Sequence, residues 1–285
     1  MSDRRQSRTQ SIDAPLPALA RSKGQIDLVF AGTGTGTRLA RAYQSGCLRV
    51  RWPQDPASRG PCAVMMNTAG GLTGGDALTI NAEWQDHASG TLTGQAAEKI
   101  YRARDGHAAI KTTIRLAPHS SAEWMPQETI LFNRASLRRD MQVEMSATSR
   151  FLGVEATVFG RAAMGETMEE GHYREGWRIR RDGRLIYADA LELDGPISAL
   201  LQRKAIGAGA RASATLILVS GDAESHLETV RERSAEACGA IAASHWNGLL
   251  AVRFAAPDGH ELRRDMTSIL STLRAGRPLP RVWSC

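Results

Sequence analysis

Short segments in which apolar and polar residues alternate recur along this 285-residue chain, and they restrict its possible folds more than any other feature. Alternation with a period of two places the apolar side chains on one face of an extended strand. We therefore predict strands at 26–30, 38–43, 48–52, 62–66, 78–84, 92–96, 108–116, 124–132, 137–145, 154–158, 177–180 and 185–190. Many short strands with few helix signals indicate a mainly β, antiparallel-rich architecture, in which 177–190 is a hairpin around Asp182 and Gly183.

The last third of the sequence adds helices to these strands. We predict strands at 211–219 and 249–254 and, between them, a helix capped by Asp222. The predicted apolar face of this helix is Leu227, Val230, Cys238 and Ile241. A second helix, at 260–275, has Leu262, Met266, Ile269, Leu270 and Leu273 at helical spacing and ends before Gly276. The chain is therefore predicted to have an α+β fold with C-terminal helices.

The ends of the chain and its composition predict a single cytoplasmic domain. Residues 1–23 are polar and Arg-rich, which is typical of a disordered extension, and 24–285 contains no clear linker. Apolar residues make up 42% of the sequence, a fraction that excludes general disorder. The sequence has neither the roughly 18 consecutive apolar residues of a membrane span nor the apolar region of a secretory signal.

Charge and aromatic content argue against nucleic acid as the partner. The chain has 36 Lys and Arg residues against 30 Asp and Glu, a net charge of +6, which suits an acidic protein partner. Aromatic residues, at 5%, are too few for a base-stacking surface. An RNA-binding module is kept as an alternative, which retention on RNA with a steep salt dependence would reveal.

The cysteines and histidines predict no tightly bound metal cofactor. The four cysteines are far apart and are expected to be free thiols. The seven histidines never occur at spacings such as H-x-H or H-x-x-x-H, so no closed metal site can be written from local sequence.

A glycine-rich loop at 67–76 has three possible interpretations. It is a tight buried turn in which Asp76 accepts hydrogen bonds from backbone N–H groups, or Gly70–Asp76 is the phosphate cradle of a nucleotide-handling enzyme. The second interpretation lacks the Gly-Lys-Ser/Thr ending of a P-loop. The Gly-Thr repeat at 32–37 likewise lacks the G-x-G-x-x-G order of a dinucleotide site and is predicted to be a flexible turn. The third interpretation is a family signature.

This loop, Asn-x-x-Gly-Gly-Leu-x-x-Gly-Asp, resembles the signature loop of the UreD (UreH) family of urease accessory proteins. Further segments at 93–102, 123–132, 160–166 and 280–283 are similar to family segments in the same order along the chain. The sequence departs from the common pattern at Ala69, where many members have Pro, and at Gly94, where Thr is common. The similarity is loose before residue 60.

The resemblance implies a fold, a function and partners. The implied fold is a UreD-type open helical β-structure of many short strands with a few helices. The implied function is that of a maturation scaffold without catalysis, which binds the urease apoprotein and UreF, with UreG bound through UreF. Two copies in a hetero-oligomer are expected. Nickel would pass transiently toward the urease active site.

The resemblance also selects candidate residues. We expect the transient nickel route to use the carboxylates in or near the matching segments, which are Asp76, Glu98, Glu128, Glu155 and Glu166. Structural or partner-binding roles are expected for Asn67, Gly70, Gly71, Gly74, Gly75, Gln95, Lys99, Arg102, Gln127, Arg161, Arg281 and Trp283. The helix at 260–275 and the proline-rich tail at 277–285 are the predicted UreF-binding surface.

Overall fold

Two β-sheets packed face to face form the body of the protein, for which a computed structural model describes residues 20–54 and 60–284. The strands of the first sheet are β1 (Lys23–Thr33), β2 (Gly36–Gly46), β5 (Ala77–Trp84), β8 (Ala108–Leu116), β11 (Ser136–Met145), β14 (Gly171–Arg181) and β15 (Arg184–Gly195). Their order across the sheet is β15-β14-β11-β8-β5-β1-β2.

The second sheet has the order β17-β18-β16-β12-β9-β6-β4-β3; in addition, β10 and β13 pair with β12, and β7 pairs with β10. Its strands are β3 (Leu48–Arg51), β4 (Cys62–Asn67), β6 (Ser89–Gly94), β7 (Glu98–Ile100), β9 (Ser121–Met125), β10 (Thr129–Leu131), β12 (Arg150–Arg161), β13 (Glu166–Thr167), β16 (Ala212–Val219), β17 (Ala240–Trp246) and β18 (Leu249–Ala256).

The chain crosses repeatedly from one sheet to the other, which makes the arrangement solenoid-like. A short turn carries β5 into β6, β8 into β9, and β11 into β12. Consecutive coils stack in parallel, so β5 pairs in parallel with β1 and β8 while β9 pairs in parallel with β6 and β12. Antiparallel pairs lie toward the margins, as in β1–β2, β14–β15 and β16–β18.

The prediction of an antiparallel-rich architecture is therefore wrong for the centre of both sheets. Period-2 alternation is the same in parallel and antiparallel strands, and a short turn usually signals a hairpin. Here the short turns join strands of different sheets. The predictions of a mainly β chain with few helices and a C-terminal helix are confirmed, but the arrangement does not support the description "open helical".

Two predicted turns have clear outcomes. The hairpin at 177–190 is confirmed and extends over β14 and β15. The Gly-Thr repeat at 32–37 is mostly strand, because Thr33 pairs with Gly36 across a two-residue connection between β1 and β2. It therefore forms a tight hairpin rather than a flexible loop.

The core between the sheets comes from the inward residues of these alternating strands. Trp84 and Phe30 stack with ring centroids 4.9 Å apart, and both are fully buried. A second apolar cluster lies on the other face of the second sheet, where helix α3 (Gly259–Leu273) packs on β16 and β18. The predicted apolar face of α3 is confirmed, since Leu262, Met266, Ile269, Leu270 and Leu273 are all buried.

The other α-helices are short. Helix α1 (Ile197–Gln202) was not predicted, and α2 (Leu227–Ser234) is shorter than the helix predicted after Asp222. The prediction that one helix reaches Ile241 is wrong, because Ile241 lies in β17 and the N–H groups of Cys238 and Gly239 bind the Asp265 carboxylate before that strand. Asp222 makes no side-chain capping bond. No helix within 20–54 and 60–284 is long and apolar enough to cross a bilayer.

The predicted N-terminal extension, residues 1–23, falls mostly outside the described residues. The part that is described contacts the body of the protein. Arg21 forms an ion pair of 2.9 Å with Asp105, and the N–H of Ser22 donates to the Asp76 carboxylate at 2.7 Å. Lys23 begins β1.

We predict that Asp258→Ala destabilises the protein by about 1 kcal/mol, the usual effect of losing an N-cap. The Asp258 carboxylate accepts the N–H of Glu261 at 2.9 Å and so caps α3. Urea unfolding measures the effect, and Asp258→Ser, which retains a capping oxygen, is expected to keep most of the stability. Equal stability of the Ala variant and the wild type would contradict this role.

Candidate functional site

The glycine-rich loop is a tight turn held by Asp76, in which Gly71, Leu72 and Gly74 are buried and Thr68, Ala69, Gly70 and Gly75 are exposed. One carboxylate oxygen accepts the N–H of Ser22 at 2.7 Å and the other accepts the N–H of Thr73 at 2.8 Å. Asp76 is buried. The interpretation as a tight turn capped by this carboxylate is confirmed.

Few backbone N–H groups of the loop remain free to bind a phosphate. The loop amides already donate within the protein: Ala69 to the Asn67 side chain, Gly70 to Asn67, Leu72 to Lys99, Thr73 to Asp76, Gly75 to His107 and Asp76 to Thr73. A cradle needs several free amides that point at one anion. The geometry therefore does not favour the Gly70–Asp76 phosphate site.

Close contacts explain why the loop contains Gly71 and Gly74. A Cβ on Gly71, at φ +152°, would lie 2.4 Å from the Tyr101 ring. A Cβ on Gly74 would lie 2.0 Å from the carbonyl oxygen of Asp105. Only glycine allows such close approach.

The loop is joined to the segment at 93–102. The Asn67 side-chain amide donates to Glu98 at 3.0 Å, and the Tyr101 hydroxyl donates to the Gly70 carbonyl at 2.9 Å. Thr73 donates through its hydroxyl to the Arg102 carbonyl at 2.9 Å. The side chains of Lys99 and Arg102 themselves are exposed.

The segment at 123–132 and the C-terminal tail meet at Arg263 of α3. Arg263 binds both carboxylate oxygens of Glu128, at 2.8 and 2.7 Å, and also contacts the Gln127 side chain. Its guanidinium donates to the Trp283 carbonyl at 3.1 Å, while the buried Trp283 indole N–H donates to the Met125 carbonyl at 3.1 Å. The tail therefore packs on its own domain, which provides the groove that its apolar residues require.

The segment at 160–166 forms a half-buried ion pair. Arg161 pairs with Glu166 and lies over the Phe132 ring, 4.1 Å from its centroid. Glu166 also accepts the N–H of Asn133 at 3.3 Å. The pair therefore connects the bend after β12 to the end of β10.

A cavity of about 230 Å³ between the sheets brings several of the candidate residues together. It is lined by Asn67, Gly70, Gln95, Glu98, Lys99, Gln127 and Glu155, together with Arg139. The exposed residues Gln95 and Lys99 mark its surface end, and the buried Arg139 and Glu155 its inner end. Of the five predicted route carboxylates, Glu98 and Glu155 line this cavity, whereas Asp76, Glu128 and Glu166 do not.

The other candidates lie elsewhere on the same body. Gly71, Gly74 and Gly75 shape the turn before β5, and Arg102 lines a shallow groove with Glu166. Arg161 lies near that groove through its contact with Glu166. Trp283 is buried under the tail, and Arg281 is exposed beside it.

The inner end of the cavity is a buried cluster centred on Arg139. Arg139 pairs with Glu155 at 2.8 Å and with Glu175 at a short distance. Trp124 donates to Glu155 at 2.8 Å, and Trp177 donates to Glu175 at 3.0 Å. Further bonds to Arg139 come from hydroxyl oxygens on β10, β12 and β14, those of Thr129, Thr157 and Tyr173.

Sequence reasoning missed Arg139 and Glu175, although a signal for them exists. Arg139 occupies an inward position of β11 between Leu137 and Met141, and Glu175 lies between Tyr173 and Trp177 on β14. A charged residue at an apolar position of an alternating strand is either an error in the register or a buried functional group. The alternation therefore marks each residue as a buried charge, although it does not show that the two side chains pair.

Two carboxylates share one guanidinium here, and their pKa values move in opposite directions. Burial raises the pKa of Glu155 to about 7, even though Arg139 opposes the shift. Burial acts on Glu175 as well, but Arg139 and the hydrogen bonds from Tyr173 and Trp177 outweigh it and lower the pKa of Glu175. Near neutral pH, Glu155 is therefore the carboxyl of this cluster that gains or loses a proton.

A second cavity, of about 380 Å³, reaches the same cluster from another direction. It is lined by Glu155, Tyr173 and Glu175 at its inner end and by the exposed Ile206 and Arg253 at its outer end. Glu155 thus borders both cavities. In the described part of the chain, no three His, Cys, Asp or Glu side chains are grouped closely enough to hold a metal ion.

Comparisons with known proteins agree on one family. A family model described as "UreD urease accessory protein" matches residues 22–284. The chain is 47% identical over 266 residues to the urease accessory protein UreD of Xanthobacter autotrophicus, covering 93% of this chain and 90% of that protein. It is 45% identical over 278 residues to the UreD of a Methylobacterium species, covering 94% and 96% respectively.

We predict that Arg263→Met destabilises the protein by about 3 kcal/mol, because it leaves the buried Glu128 carboxylate without its partner. Arg264→Met is a matched control, since Arg264 only forms an exposed pair with Glu261 and should change stability by less than about 1 kcal/mol. Chemical denaturation measures both. Adding Glu128→Gln to Arg263→Met should recover part of the loss, and no recovery would contradict the pairing.

We also predict that Glu155 makes stability depend on pH. Its folded pKa of about 7 lies above the ordinary 4.5, so its contribution to the free energy of unfolding is present below pH 4.5 and is lost as pH rises through 7. Between pH 5 and pH 8, wild type should lose about 2–3 kcal/mol relative to Glu155→Gln. Urea unfolding at both pH values tests this, and parallel pH profiles would contradict it.

Proposed function

The chain belongs to the UreD urease accessory protein family, and on that premise we propose that it is a non-catalytic scaffold that passes nickel to urease during maturation. In this proposal it binds the urease apoprotein on one side and UreF on the other, and UreG joins through UreF. Two copies act in the hetero-oligomer, in the cytoplasm. Nickel is cargo and does not stay bound.

One observation carries the proposal, which is that two cavities meet at Glu155. One opens beside Lys99 and the other beside Ile206, and both end at the Arg139 cluster. Carboxylates are spaced along them, with Glu98 near one opening and Glu155 and Glu175 at the meeting point. Oxygen ligands tolerate Ni²⁺, and loosely spaced ligands let an ion leave again.

The charge of the cluster suits a cation in transit. With both glutamates ionised, two negative charges face the single positive charge of Arg139, so the site keeps one uncompensated negative charge. Burial at the same time favours a proton on Glu155. An arriving divalent cation would displace that proton, and its departure would allow the proton to return.

The other three carboxylates that were predicted for the nickel route are better suited to a structural role. The oxygens of Asp76 bind backbone N–H groups, those of Glu128 bind Arg263, and Glu166 binds Arg161. We therefore place the route at Glu98, Glu155 and Glu175. Asp76, Glu128 and Glu166 keep the loop, the tail and the bend in position around it.

Partner binding is assigned to exposed side chains within the family-like segments, namely Lys99, Arg102 and Arg281. The apolar side of α3 and Trp283 are already covered by the protein itself. We therefore assign UreF binding to the exposed side of α3 rather than to an inserted tail. The exposed positively charged residues suit an acidic partner surface.

We predict that Glu98→Gln slows urease activation under limiting nickel, because it removes the carboxylate charge nearest the outer opening while keeping an oxygen for the Asn67 amide. Glu144→Gln, an exposed change on the outside of the first sheet, is the matched control and should activate normally. Activation of co-expressed urease is measured at limiting and at excess nickel.

Co-purification of the urease subunits and UreF with each variant distinguishes the two parts of the proposal. Normal complexes with slow activation support a conduit through the cavity. Full-rate activation by both Glu98→Gln and Glu155→Gln would contradict the conduit. Failure of the wild-type chain to co-purify with urease or UreF would contradict the scaffold.

A further inference from the structure

Two histidines that are far apart in sequence stack their imidazole rings on the surface of the protein. His87 is in the turn between β5 and β6, and His119 is in the turn between β8 and β9. Their imidazole rings stack with centroids 4.9 Å apart and planes inclined by 14°. No other pair of histidine rings stacks in the described ranges, which include all seven histidines.

The fold holds the two backbones in equivalent positions. β5 and β8 pair in parallel, with Trp84 opposite Leu116, so each histidine lies three residues beyond a paired position. Both have φ +58°, a left-handed conformation in which histidine is enriched. The N–H of His87 donates to the Pro118 carbonyl at 3.2 Å, and that of His119 to the Thr148 hydroxyl at 3.1 Å. The turns of three successive coils are therefore fixed against one another.

The ring nitrogens are available to a ligand. Both side chains are exposed, and neither ring forms a hydrogen bond or ion pair with the described residues. By contrast, His172 faces Asp194 at 3.3 Å and His226 faces Asp222 at 3.5 Å.

From this geometry we infer that His87 and His119 form a surface site for a divalent transition-metal ion of the class that imidazole binds, Ni²⁺, Cu²⁺ or Zn²⁺. Neighbouring strands lie about 4.8 Å apart, so rotation about the side-chain bonds directs one nitrogen of each ring to a shared ion. Water supplies the remaining ligands. With two protein ligands the site binds weakly and reversibly, and its affinity should follow the order Ni²⁺ below Cu²⁺.

This site is separate from the cavities. β5 begins directly after Asp76 and runs to Trp84, so its eight residues place the histidine turn roughly 25 Å from the glycine-rich loop. A metal bound at the histidines therefore lies at the opposite end of the coils from Glu98. The inference does not depend on the proposed nickel route, and either can fail alone.

The test uses the tag-free, full-length chain titrated with Ni²⁺ by calorimetry and with Cu²⁺ by electron paramagnetic resonance. We expect His87→Ala and His119→Ala each to weaken Ni²⁺ binding by roughly tenfold or more. The Cu²⁺ spectrum of the wild type should show coupling to imidazole nitrogen that both variants reduce. His260→Ala, which removes an exposed histidine on α3, is the matched control and should bind like the wild type.

Each alternative result overturns the inference. Ni²⁺ binding that is unchanged in both His87→Ala and His119→Ala would do so, as would the absence of any binding to the wild type at millimolar Ni²⁺. Binding lost in Glu98→Gln but retained in both histidine variants would place the metal in the cavity alone. Thermal unfolding with and without Ni²⁺ confirms that each variant is folded before titration.

Discussion

A guanidinium placed between two sheets is the constraint around which this protein is built. Arg139 comes from the first sheet, and its partners come from both, with Glu175 on β14 and Glu155 on β12. An unpaired buried charge is very costly, so the two sheets must keep these groups in register. The same cluster borders two internal cavities, both of which are lined by Glu155. One set of contacts thus joins the two sheets and lies at the edge of both internal spaces.

Three of the family-like segments, 67–76, 93–102 and 123–132, line the first of these cavities. The loop at 67–76 is fastened to 93–102 through Asn67 and Glu98, and 123–132 is fastened to the tail through Arg263. Each segment supplies backbone or charge that another segment needs. The identities of the residues in these segments are therefore restricted, although most of these residues have structural roles.

The alternation of apolar residues predicted most strands, including both strands of the 177–190 hairpin, and helical spacing predicted α3. Pairing could not be predicted in the same way, because residues such as Ile80 show the same alternation whether the neighbour is parallel or antiparallel. Asp76 was identified as a capping carboxylate because one partner, the N–H of Thr73, is local, whereas the other, the N–H of Ser22, lies 54 residues away. Arg139 and Glu175 lie 36 residues apart, and His87 and His119 meet only because two coils stack. Such contacts depend on register, which one sequence does not specify.

The pairing of Glu123 has a consequence for the order in which the protein folds. Glu123, in the middle of the second sheet, is neutralised by Arg274 and Arg277, which lie 151 and 154 residues further along the chain, and Trp283 closes over Met125 nearby. Contacts across such long separations carry a large loop-closure entropy, so they form late in folding. The second sheet therefore reaches its final packing only after helix α3 and the segment that follows it have docked.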